Sequence, residues 1–200
     1  MTFFAASNTE RMRTTKRLLV RAMPDAERQA LEVAGTVWSM MSNGQSDVAA
    51  VMATLRLPPA VAVRAWQEAD FPEVQRLSAA EGWTTPIERA HESLVAWRHS
   101  WPALVAIHNE TMIGFSRAVS DGVVTTYIAE LLVVLEWRGR GIATALLQAS
   151  RRLCPSSRLD LLATRASCRF YERLGFRPFA GFRCSGPEEI ARVEEQGRGQ

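Results

Sequence analysis

The stretch Glu130-Leu131-Leu132-Val133-Val134-Leu135-Glu136-Trp137-Arg138-Gly139-Arg140-Gly141-Ile142-Ala143 decides the fold. An apolar run passes through a glycine-bearing loop into a helical pattern. Glycine lets the backbone come close to a ligand. The unpaired N–H groups and positive dipole end of the following helix make an anion site, with diphosphate its natural guest. Arg138 and Arg140 add cationic donors. No Gly-Lys-Ser/Thr follows, so the loop is not a P-loop. The third glycine of a dinucleotide fingerprint is also missing.

Upstream, Val61 to Ala65 alternates as a short strand, and Asp70-Phe71-Pro72-Glu73 starts a helix with proline and acid in its first turn. That helix runs to about Ala80. Gly82 to Pro86 is a loop, and Ile87 to His99 a second helix. Ala103–Ile107 and Met112–Val119 are strands joined by a turn at Asn109-Glu110. Asp121-Gly122 makes a second tight hairpin into the strand Val123–Val134. Ile142–Leu153 is an amphipathic helix, Leu159–Ala163 a strand, Ser167–Leu174 a short helix and Phe176–Phe182 a final strand. A meander followed by a strand–helix–strand crossover gives an α/β fold, an α+β mixed sheet with helices on both faces. Before the break at Pro58-Pro59, apolar spacing predicts helices: one capped by Asp25 and running to Met41, another from Val48 to Leu55 behind Asp47, with Asn43-Gly44 between. The expected organisation is a helical extension over 1–58, the mixed-sheet domain over 59–184 and a polar tail over 185–200.

The second informative stretch is Phe170-Tyr171-Glu172-Arg173-Leu174-Gly175-Phe176, with Gly175 suited to a helix C-cap. Together the two stretches resemble the GNAT (GCN5-related) N-acetyltransferase family. Arg138-Gly139-Arg140-Gly141-Ile142-Ala143 looks like its coenzyme pattern Arg/Gln-x-x-Gly-x-Gly/Ala, and Phe170–Phe176 like its later helix-to-strand motif. Val63–Trp66 with Asp70–Val74 looks like its first strand and helix. The resemblance covers roughly residues 60–183. Leu135 stands where the family often has proline, and Thr164–Ser167 replaces an asparagine often found before the tyrosine helix.

The resemblance implies acetyl-CoA as the coenzyme. Its pantetheine arm would bond the backbone of Leu131, Leu132 and Val133. Its diphosphate would sit on Arg138, Gly139, Arg140, Gly141, Ile142, Ala143 and Thr144. Tyr171 would protonate the departing thiolate, and its alternative is packing between Phe170 and Phe176. Glu130 matches a carboxylate that takes the proton of the acceptor's ammonium, and its alternative is a strand-end acid paired with an arginine. It interrupts an apolar run, so it should face a wet cleft or a partner cation.

The acceptor is expected over the sheet, near the loop Gly82–Pro86, the helix Ile87–His99 and the turn at Asp121. These segments carry Glu81, Trp83, Glu88, Glu92, Trp97 and Asp121. Trp83, Glu88, Glu92 and Asp121 would suit a polycationic small molecule such as an aminoglycoside antibiotic. The expected activity is therefore N-acetylation of a small-molecule amine, with antibiotic resistance as its role. Acetylation of a protein N-terminus or lysine is the alternative. A helix-turn-helix around Asn43–Ala60 is a second one, with only Arg64 to read DNA.

Composition limits the rest. Apolar residues are 47% and charged residues 22% of 200, ordinary globular values. No apolar run approaches the roughly 18–20 residues of a membrane span, and no secretory signal opens the chain. Three cysteines without paired spacing fit reduced thiols in a cytoplasmic protein and argue against a zinc site, so no metal is expected. Net charge is +3, small for an obligate nucleic-acid binder. Lys16 is the one lysine beside 23 arginines. The N-terminal helices would pack on the catalytic domain, line the acceptor site or form a homodimer contact.

Overall fold

A computed structural model describes residues 48–155 and 157–184. The expected helix to Met41, the turn at Asn43-Gly44, the Asp47 cap and the tail from Ser185 lie outside the described residues. The chain divides after Thr54 into two units. Residues 48–53 of the first are helical.

Within the second unit the chain runs β1 (Val61–Ala65), α1 (Phe71–Ala80), α2 (Thr85–Glu88), α3 (Ala90–Arg98), β2 (Ala103–His108), β3 (Thr111–Ser120), β4 (Thr125–Val133), α4 (Ile142–Leu153), β5 (Arg158–Leu161) and α5 (Cys168–Arg173). The five strands form one sheet in chain order. Neighbours from β1 to β4 are antiparallel, and β5 joins β4 in parallel. A parallel neighbour needs a crossover, which α4 supplies. The expected mixed sheet is present. Val61–Ala65 is a strand on β2, which leaves no recognition helix over those residues.

Strand alternation sends side chains to two faces. On one face Val105, Phe115 and Leu132 pack with Phe71, Val74 and Leu77 of α1 and Trp97 of α3. Trp97 meets the Phe115 ring edge-on at 5.4 Å and the Trp66 ring at 5.3 Å. Trp97 therefore belongs to the core rather than to an acceptor surface. On the other face α4 buries Ile142, Ala145, Leu146 and Ala149. There Leu147 packs with Ala118 and Ile128.

The start of α1 is held by charge. Arg64 of β1 gives both terminal nitrogens to Asp70, at 2.7 Å each. The Gln67 amide donates to the same carboxylate at 2.7 Å. Burial opposes the Asp70 charge, but these donors prevail and hold its pKa below the usual value.

Three boundaries differ from expectation. The predicted helix Ile87–His99 is two helices parted at Arg89, whose φ of −120° and ψ of 52° are not helical. A continuous helix would offer the Pro86 carbonyl to residue 90, but Gln75 Nε2 donates to that carbonyl at 2.7 Å. The strand expected from Val123 begins at Thr125, because Asp121 gathers residues 123–125 into the turn. The final strand Phe176–Phe182 is absent, and residues 175–184 carry no regular structure. Pro178 cannot donate to a ladder. Phe179 and Phe182 are 88% and 96% exposed, so the alternation finds no surface to cover.

Core and edge should therefore respond differently to truncation. Phe115→Ala empties a fully buried site and should cost about 3–5 kcal/mol. Phe179→Ala should stay within about 0.5 kcal/mol. Urea unfolding midpoints of the two variants check this.

Candidate active site

The site begins where β4 and β5 part. Their pairing runs from Thr125–Arg158 to Ile128–Leu161 and stops. β4 continues to Val133 with β3 still on its other edge. Just past the parting, Arg117 pairs with Glu130 while Ala118 pairs with Ile128. Ala129 is thus a bulge, which bends and twists a strand.

An antiparallel ladder points alternate residues' backbone groups at the partner. Val134 N–H donates to the Ile113 carbonyl at 3.0 Å. The same alternation gives the backbone of Leu132 and Glu130 to β3. Leu131 and Val133 direct theirs to the open edge. Of the three residues expected to bond a ligand, Leu132 is thereby committed within the sheet. The Val133 carbonyl already accepts from Arg138 Nε at 2.8 Å.

Beyond β4 a single turn, Leu135–Trp137, leads into the loop. Gly139 and Gly141 sit at φ of +74° and +86°, a conformation that other residues adopt only with strain. A side-chain carbon at either would meet nothing within 4 Å, so the glycines also leave the loop open on that side. Gly141 is the N-cap of α4 and has no side chain to satisfy it. The first-turn amides of Ile142, Ala143 and Thr144 have no partner within their own helix. They are three of the residues expected to hold a diphosphate.

The two loop arginines are held by neighbours. Arg138 reaches back to Val133 and pairs with Glu81 at the end of α1. Arg140 lies 4.9 Å from the centre of the Trp137 ring. His108 of β2 meets that same ring at 4.5 Å.

Glu130 projects on the α1–α3 face beside Arg117. Arg117 Nη2 donates to Glu130 Oε1 at 2.9 Å. Its Nη1 donates to Ser100 Oγ at 3.1 Å, and Ser100 Oγ donates to the Ala96 carbonyl at 2.7 Å. Glu130 Oε2 and Arg117 Nε are buried and have no hydrogen-bond partner among the described residues. So Glu130 meets the partner cation that an acid in an apolar strand requires. The sequence reading did not name Arg117 or Ser100. The available signal was Ser116-Arg117 interrupting the apolar run Met112–Val119, as Glu130 interrupts the next one.

Tyr171 lies on the other face. Its ring packs edge-on to Phe170 and Phe176, with centres 4.9 and 5.7 Å away. It joins Leu131 in the cluster around Ala118 and Ile128. Burial pushes its phenol above the ordinary pKa, so it stays protonated at neutral pH.

The expected acceptor residues do not form one wall. Trp83 is partly exposed and packs edge-on to Phe115, and Glu88 is exposed on α2. Glu92 pairs with Arg89 at 3.4 Å. Asp121 Oδ1 accepts from the amides of Val123, Val124 and Thr125 at 2.8, 2.7 and 3.0 Å. Those backbone bonds, from Thr125, Val123 and Val124, depress its pKa. It also sits where β4 starts, whereas Glu81 meets Arg138 beyond the strand's end. Eight steps at about 3.3 Å each put those points roughly 26 Å apart along the strand.

Asp121 should therefore act on stability and not on acceptor binding. Asp121→Asn should lower the thermal midpoint at neutral pH. A carboxylate with a depressed pKa stabilises above its unfolded value and loses that contribution as pH falls through the folded one. The gap between wild type and variant should thus close on acidification. Acceptor KM should stay within twofold. Melting curves against pH, with steady-state kinetics, check both.

The model of the acetyltransferase (GNAT) family matches residues 60–176. N-alpha-acetyltransferase 30 of Schizosaccharomyces pombe is 37% identical over 98 residues, which span 39% of this chain and 60% of that protein. A Deinococcus radiodurans R1 protein assigned as an acetyltransferase superposes with a TM-score of 0.52 at 26% identity, over 66% of this chain and 92% of that one. An aminoglycoside acetyltransferase from an uncultured soil metagenomic sample, in complex with sisomicin, has a TM-score of 0.50 at 14% identity, covering 64% of this chain and 97% of its own. That last likeness is one of fold. Among the described residues no helix is long and apolar enough to cross a membrane. With the parted strands, the glycine loop and a family model spanning most of the sheet, the chain belongs to the GNAT acetyltransferase family.

Proposed function

We propose that the protein transfers the acetyl group of acetyl-CoA to a primary amine, and that the amine is the α-amine of a peptide or amino acid. The observation that carries the transfer is the open edge of β4 leading into the glycine loop. The backbone groups of Leu131 and Val133 would take the pantetheine amides. The Gly139–Thr144 backbone would take the diphosphate. Bound there, acetyl-CoA supplies a thioester carbonyl carbon for the amine to attack.

An amine must be neutral to attack. Glu130 accepts its proton, directly or through a water, and Tyr171 donates its phenolic proton to the leaving sulfur. A tyrosine phenol is protonated at neutral pH and so has that proton to give. Arg138 and Arg140 contribute positive charge near the cradle while their side chains brace it.

The α-amine reading is supported by the 37% identity to an N-alpha-acetyltransferase. An aminoglycoside acceptor is the second reading, favoured by the exposure of both Glu88 and Trp83. Asp121, Glu92 and Glu81 are engaged elsewhere, which weakens that surface for a polycation. Release of CoA thiol should be followed with peptides bearing free N-termini, amino acids, polyamines and aminoglycosides. Release with peptides or amino acids and not with aminoglycosides is the expected result; the reverse would favour the second reading.

Two substitutions test the machinery. Gly141→Asp puts charge and bulk at a left-handed position facing the diphosphate cradle. It should abolish acetyl-CoA binding in calorimetry while the fold persists by circular dichroism. Tyr171→Phe should lower kcat by about 100-fold, the usual scale for a general acid. Its acetyl-CoA Kd should change less than twofold, and unchanged turnover would remove the acid role.

A further inference from the structure

Two charged side chains enter the sheet where a packed apolar face would otherwise close it, and they meet. Arg117 and Glu130 are opposite in register on β3 and β4. Their side chains are only 15% and 21% exposed. Burying such a pair gains little net stability, because desolvation offsets the attraction. Nothing in the fold requires it, since apolar side chains fill the neighbouring positions Phe115 and Leu132.

The geometry is that of a brace. Arg117 divides its fork between two partners, Nη2 to Glu130 Oε1 and Nη1 to Ser100 Oγ. Ser100 follows α3, and its hydroxyl is fixed by the Ala96 carbonyl. The carboxylate is thus tied through arginine and serine to the end of a helix. A carboxylate has two oxygens, and this brace uses one. Oε2 is buried without a hydrogen-bond partner among the described residues. An unpartnered buried oxygen is costly, and the polar guest that would satisfy it is an amine N–H or the water relaying its proton. The bulge at Ala129 adjoins the pair and sets the strand's turn there.

We infer that Arg117 is a positioning residue for acyl transfer: braced by Ser100, its guanidinium fixes the Glu130 carboxylate so that Oε2 alone is left to take the acceptor's proton. The inference rests on the reading of Glu130 as the base. In this role Arg117 acts through Glu130, the residue its Nη2 holds.

That dependence is measurable in a cycle of Arg117→Met, Glu130→Gln and the double variant, with Arg117→Lys beside them. The probes are acetyl-CoA and a short peptide with a free N-terminus. Glu130→Gln should lower kcat at least tenfold. Arg117→Met should lower kcat by a similar factor, with acetyl-CoA KM within twofold. In the Glu130→Gln background Arg117→Met should cost less than twofold further, because groups acting as a unit are not additive. Arg117→Lys restores the charge and one bond, and should recover part of the loss. A merely structural role would cost the same in either background and would overturn the inference.

The double variant leaves no unpaired buried charge, so it remains testable if Arg117→Met alone unfolds. A second readout needs no turnover. The side-chain carboxyl ¹³C resonance of Glu130, assigned by its loss in Glu130→Gln, should shift in Arg117→Lys; a resonance that does not move would overturn the brace. Undiminished kcat in Glu130→Gln would instead remove the base role on which the inference rests. A Glu130→Gln loss with an unaffected Arg117→Met would overturn the inference alone.

Discussion

Backbone N–H and C=O groups must be paired or wet, and from Ala129 onward β4 satisfies this on one edge only. Everything in the site follows from that constraint. The β3 edge is held closely: at Gly114 a side-chain carbon would lie 2.6 Å from the Leu132 carbonyl oxygen, so glycine permits the approach. The bulge then turns the strand, and β5 has already ended at Leu161. A strand paired on one side and open on the other is a template for an extended guest with amides of its own. The pairing that builds the sheet and the pairing offered to a ligand are one kind of bond, divided between two edges of one strand.

The open edge would be a liability if the loop beyond it were loose. It is tied instead. Arg138 closes on the carbonyl of Val133 and on Glu81, joining the end of β4, the start of the loop and the end of α1. Trp137 is flanked by His108 of β2 and Arg140 of the loop. Both contacts act through side chains, which leaves the amides of the cradle free. The left-handed glycines provide the shape, and the arginines and the tryptophan keep it. For the diphosphate proposed at α4, donors held in this way would lose little further entropy on binding.

How much of this the sequence disclosed depends on the range of the interaction. The glycine loop, the amphipathic α4 and the hairpin at Asp121 are local, and their patterns are visible along the chain. Asp121 was legible as a turn residue, but its distance from the glycine loop was not, because the length of β4 separates the two. The missing strand over Phe176–Phe182 shows the opposite failure. Its apolar alternation is genuine, yet alternation predicts a strand only where a neighbour offers an edge. Leu131 and Val133 could be named from a motif. That Leu132 faces β3 could not, because ladder parity depends on a bulge one residue wide. Arg117 was hidden for the same reason: its meaning lies in the residue opposite it, and register is set by packing.

The preponderance of arginine also finds its physical use in pairs. Arg64 grips Asp70 with two nitrogens, and Arg76 does the same to Glu73. Arg98 holds Glu68 across the start and end of the first helical layer. On exposed surfaces such pairs contribute little to stability. Arg117 differs because it is partly buried and because its two terminal nitrogens serve different partners on different elements. A lysine ammonium could meet the same carboxylate, but as a point charge on a flexible stem it does not fix a plane. With Glu130 as the proposed base, presenting one oxygen in one direction needs the plane as well as the charge. The fork of Arg117 supplies both, and it does so from the strand whose register places it directly across from Glu130.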